Sequence, residues 1–128
     1  MSKIISISMS EELLDGIDRI QRELGFSGRS EVIRAGIRML MADSRERERL
    51  TGDISSILLL VHAQNVEDTV TEIKHQFEEV VSTHVHHHLR EDKCLEILIL
   101  SGDARRIKRL VEMFQTTGKM EYIKLIVP

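Results

Sequence analysis

The chain has 128 residues, with 18 Lys plus Arg against 21 Asp plus Glu, a formal charge of −3. That is room for one domain or two small ones, each near the lower limit for a self-sufficient core, and the balanced charge means that any nucleic-acid binding has to come from local arrangement. One cysteine excludes an intrachain disulfide, the first twenty residues show no basic leader with an apolar core, and the longest apolar run, residues 57–61, is far shorter than the ~20 residues of a membrane span, so a cytoplasmic protein without a membrane partner is expected.

Residues 3–9 alternate from Ile5 onward, with Ile5, Ile7 and Met9 on one face and Ile4, Ser6 and Ser8 on the other, which predicts a short half-buried strand. Ser10 is a good N-cap, Glu11 and Glu12 follow in the first turn, and Leu13, Leu14, Ile17, Ile20 and Leu24 form a helical stripe ended by Gly25. A second helix follows Ser27-Gly28-Arg29-Ser30, with Ile33, Ile37, Leu40 and Met41 as its apolar face. One strand and two short helices bury too little to close a core, so a dimer is expected, its two strands paired into an antiparallel ribbon. Such a ribbon fits the DNA major groove, where small hydroxyls reach base edges.

This alternating strand, with its Gly-x-x-x-Arg-Ser-Glu turn from Gly25 to Glu31, resembles the ribbon-helix-helix family of repressors. The resemblance implies that Lys3, Ile4, Ser6 and Ser8 face DNA. It also implies that the backbone at Gly28, Arg29 and Ser30 holds a phosphate at the start of the second helix.

Residues 42–53 alternate in charge sign and contain almost nothing to bury, which marks a boundary, with a helical extension ending near Gly52. The division predicted is a ribbon-helix-helix module at 1–42, a linker at 43–53 and a second domain at 54–128. That domain reads strand (54–63), helix (65–80), strand (82–89), strand (94–100), helix (102–117), strand (119–127). The order βαββαβ is ferredoxin-like, so the fold class predicted for the whole chain is α+β. Its first helix carries the stripe Val66, Val70, Ile73, Phe77 and Val80, and its second Ile107, Leu110, Val111 and Phe114. The strand at 94–100 is apolar on both faces after Glu96, so its outer face is expected to meet another subunit.

Five of the six histidines and the cysteine fall between positions 75 and 94. Strand parity places His84, His86 and His88 on one face and Val85, His87 and Leu89 on the other. A hairpin loop at Arg90-Glu91-Asp92-Lys93 returns Cys94 beside His88, so His86, His88 and Cys94 converge. His75 falls opposite the centre of its helix stripe and faces outward, from where it is expected to complete a site in a neighbouring subunit. Imidazoles with one thiolate suit a late divalent metal, and residue type leaves Ni(II), Cu(II) and Zn(II) open.

The whole chain is similar to the nickel-responsive regulators of the NikR family, an N-terminal ribbon-helix-helix module joined to an ACT-like domain. The motif that carries the resemblance is His-x10-His-x-His-x5-Cys, present as His75, His86, His88 and Cys94. It implies a homotetramer, a dimer of dimers, with one square-planar Ni(II) per subunit, three ligands from one chain and His75 from another. Metal loading would favour binding to a double-stranded operator. The chain departs from the family at Ile4, where a well-known member has a basic residue, at Ala35, where an acidic residue joins the equivalent of Glu31 in a second cation site, and at the additional His84 and His87. The alternatives are a regulator responding to copper, zinc or a small molecule such as an amino acid, and an antitoxin-type interaction protein. No enzymatic activity is expected, because a four-ligand site leaves no open position.

Overall fold

The computed structural model describes residues 1–128, which divide into two compact units, residues 1–48 and 49–128. In the first unit, α1 (Glu11–Leu24) starts where the Ser10 hydroxyl accepts the Leu13 N–H at 3.2 Å, and its first turn carries Glu11 and Glu12. It stops at Gly25, whose φ of +76° is the left-handed conformation that lets the Gly25 and Phe26 N–H groups turn back onto the Gln21 carbonyl. Then α2 runs from Arg29 to Glu48. Only Ile17 and Val32 of this unit are buried, and its apolar residues line an open cleft of about 790 Å³ that includes Ile5, Ile7, Met9, Leu14, Ile33 and Ile37.

One expectation differs here. Residues 3–9 form no ladder, because the unit holds no second strand for their N–H and C=O groups. The helical extension expected in the charged run is present: α2 continues as far as Glu48, a turn short of Gly52, with Arg47 and Asp43 paired one turn apart, so irregular backbone is confined to residues 49–52.

The second unit follows the predicted order. Strand β1 (Asp53–Ala63) leads through a single 3-10 turn (Gln64–Val66) into α3 (Glu67–Gln76), followed by β2 (Val81–His88), β3 (Lys93–Asp103), α4 (Ala104–Thr116) and β4 (Met120–Ile126). All pairings are antiparallel and the sheet order is β2-β3-β1-β4, so β1 and β3 are central and β2 is an edge. Helix α3 ends before the predicted residue 80 because Phe77 and Val80 turn inward instead of continuing the spiral. Both are buried, and the Val80 and Val81 N–H groups close onto the Phe77 carbonyl.

The stripes of α3 and α4 meet Leu58, Leu60, Leu98 and Leu100 on one face of the sheet. Gly102, at φ +145°, lies so close to Val80 that an added Cβ would sit 3.0 Å from the valine Cγ1. Alternation along β3 sends Cys94, Glu96, Leu98 and Leu100 toward the helices. Because His88 pairs with Cys94, His86 with Glu96 and His84 with Leu98, the three alternate histidines of β2 share that face.

Candidate metal centre

At the end of the sheet nearest the start of α3, His86, His88 and Cys94 each offer one donor atom, and these atoms lie within 4.8 Å of one another. The His88 Nδ1 is 3.8 Å from the Cys94 sulfur, and the His86 and His88 rings are 4.9 Å apart, centre to centre. Metal–nitrogen and metal–sulfur bonds of about 2.0 and 2.3 Å span about 4.3 Å across one ion, so the trio fits a single cation with small side-chain movements. Two further features match a cation. The Nε2 of His86 is buried without a hydrogen-bond partner, while its Nδ1 stands 3.0 Å from a Glu67 carboxylate oxygen. Burial pushes the Cys94 thiol up from its ordinary range, and the negative charges of Glu67 and Glu96 push it further. A bound cation would reverse that balance by stabilising the thiolate.

His75 is exposed on α3, with its Nδ1 2.7 Å from the Glu78 carboxylate. It lines a groove of about 360 Å³ between α3 and the β2 edge, together with Glu67, Lys74, His84 and His86. The structure thus brings three of the four candidate ligands together and leaves His75 on the rim of the same groove, outside the cluster. His84 and His87 are exposed on opposite faces of β2.

Beneath the trio lies a polar network that patterning missed. Glu96 is fully buried and accepts from Lys74 Nζ at 2.7 Å, while its other oxygen is 2.6 Å from His62 Nε2. The His62 Nδ1 lies 2.8 Å from the Ala63 carbonyl oxygen, so both ring nitrogens stand within hydrogen-bond distance of an oxygen. Parity already put Glu96 on the Cys94 face of its strand, which was the signal available. Nothing in the sequence pointed Glu67 toward His86.

In the first unit, Lys3, Ile4, Ser6, Ser8, Arg29 and Ser30 are exposed and Gly28 is half-buried. The Arg29 guanidinium is paired twice with Asp18, at 2.8 and 3.0 Å, which leaves the amides at the start of α2 as the local anion donors. Glu31 is held by Arg38 and Arg34 at 3.0 and 3.1 Å, and these hydrogen bonds keep its carboxyl below the usual range.

Residues 56–127 match the family model described as the NikR C terminal nickel binding domain, and residues 3–44 match the ribbon-helix-helix protein, copG family. Among curated relatives, a nickel-responsive regulator by name from Methanocaldococcus jannaschii is 33% identical over 126 residues, covering 96% of this chain and 89% of the relative. Another so named, from Methanothrix thermoacetophila, is 31% identical over 124 residues, covering 94% and 89%. Two solved structures share the fold: the uncharacterized protein TM1266 of Thermotoga maritima (TM-score 0.54, 22% identity, 59% of this chain and 96% of that one) and the C-terminal domain of MgtC from Mycobacterium tuberculosis (TM-score 0.51, 11% identity, 60% and 89%). With a nickel-binding-domain match over most of the second unit, a ribbon-helix-helix match over the first, and relatives alike from end to end, the chain belongs to the NikR family of nickel-responsive regulators.

Proposed function

We propose that the chain is a nickel-responsive, DNA-binding transcriptional repressor that takes one Ni(II) per subunit at His86, His88 and Cys94, with His75 of a neighbouring copy as the fourth ligand. The observation that supports this most is the convergence of two imidazoles and a thiol around the unpartnered His86 Nε2. Bound nickel supplies a positive charge that draws these donors together. The protein's own part is to hold His86 and His88 on one edge strand and Cys94 on its neighbour, in register. A ligand from a second copy would make ion occupancy and assembly one equilibrium, with homotetramer formation as its readout. The open apolar cleft of the first unit supports pairing of residues 3–9 with a second copy, which would turn Lys3, Ile4, Ser6 and Ser8 toward duplex DNA, with the amides of Gly28, Arg29 and Ser30 on a phosphate.

The test is a titration of the full chain with nickel, followed by selection from a pool of randomised duplexes with and without the metal. One nickel per chain and tighter binding of a palindromic sequence in its presence are expected. Equal DNA affinity of the metal-free and nickel-loaded protein would overturn the reading.

A further inference from the structure

We propose that Glu67 is a positioning residue of the metal centre: its carboxylate holds the Nδ1–H of His86, so the ring presents the Nε2 lone pair to the cation. This rests on the metal-binding reading of the trio. Glu67 is the first residue of α3, and the fold fixes that helix start beside the second-last residue but one of the β2 edge, where its Oε1 lies 3.0 Å from His86 Nδ1. The buried Nε2 has no acceptor. A proton there would be an N–H without a partner, while the Nδ1 lone pair would face a negative oxygen. The other tautomer gives the Nδ1–H a carboxylate beside it, and it is the one that leaves the Nε2 lone pair free to ligate. The buried carboxylate of the region, Glu96, is already engaged by Lys74 and His62. A carboxylate on the far nitrogen also strengthens an imidazole as a donor.

Glu67 is also an acidic residue in the first turn of a helix, a purely structural role that Asp68, the next residue, shares. The experiment therefore compares Glu67→Ala, Glu67→Gln and Asp68→Asn in the full chain. Nitrogen-15 NMR of the metal-free protein at pH 8 reads the His86 tautomer, and chelator competition reads nickel affinity. The wild type is expected to show His86 protonated at Nδ1. Glu67→Ala should lose that preference and bind nickel about 10- to 100-fold more weakly. Glu67→Gln, whose amide oxygen still accepts, should keep the tautomer and fall between the two, and Asp68→Asn should match the wild type in both measurements. Equal weakening by Glu67→Ala and Asp68→Asn, or wild-type His86 protonated at Nε2, would overturn the proposal. A nickel-binding wild type beside a Glu67→Ala variant of equal affinity sinks this inference alone, whereas failure of the wild type to take up nickel sinks the metal reading beneath it.

Discussion

Glu96 carries a charge into the interior of a sheet, beside Lys74 and His62, and the balance of terms there decides its role. Burial pushes its carboxyl up, but the hydrogen bonds from Lys74 and His62, with the charges of both, more than offset it, and the net direction is down. A carboxyl lowered by folding adds stability that is complete above the ordinary glutamate range, near pH ~4.3, and is lost as the pH falls through its folded value. The metal-free wild type should therefore lose its advantage over Glu96→Gln as melting is followed from pH 7 to pH 3, and a constant difference would show that the charge is not what stabilises. At neutral pH, Glu96→Ala leaves two donors without their acceptor in a buried site and is expected to cost about 3–5 kcal/mol in chemical denaturation. A loss below 1 kcal/mol would mean that water replaces the carboxylate.

Among the elements, the β2–β3 hairpin sets the geometry of the candidate metal centre, since its register decides which histidines meet Cys94. The Leu89 N–H donates to the Lys93 carbonyl at 2.8 Å, and in the loop between them Glu91 and Asp92 take φ of +60° and +56°. Left-handed backbone at a residue with a Cβ costs about 1–2 kcal/mol, and glutamate lacks the short side chain that eases it for aspartate. Glu91→Gly is thus expected to raise metal-free stability by up to about 1 kcal/mol, read from denaturant midpoints, with the sheet register unchanged. This hairpin also shows how far the sequence reached. Period-two spacing placed His86, His88 and Cys94 on one face because parity is a local property of a strand, and the apolar stripes of α3 and α4 were legible for the same reason. The strained loop conformation was not, since Glu91 and Asp92 carry no glycine or asparagine signal. The Glu67–His86 pair was not either, since it joins two elements nineteen positions apart through tertiary packing alone. The strand predicted at residues 3–9 depends on a partner, and no single chain supplies one.

For the whole molecule, the two units differ in self-sufficiency. The second has a closed core of aliphatic and phenylalanine side chains between helices and sheet. The first leaves Ile5, Ile7, Leu13, Ile37 and Leu40 more than half exposed over only two buried residues, so its stability is expected to come from association. If the exposed His75, which lines the groove but lies outside the trio, serves a neighbouring copy as proposed, association gains a second and separable contribution. A ligand supplied by another copy makes nickel stabilise the larger assembly, by about 2.7 kcal/mol when free nickel stands at 100 times its dissociation constant. Sedimentation of the wild type at falling protein concentration should then show tetramers persisting to lower concentration with nickel than without. His75→Ala should keep association through the first unit and retain weaker nickel binding at His86, His88 and Cys94, yet lose the effect of the metal on assembly. If nickel shifts the assembly of His75→Ala as far as it shifts the wild type, the shared ligand is wrong and the three residues of one chain hold the ion alone.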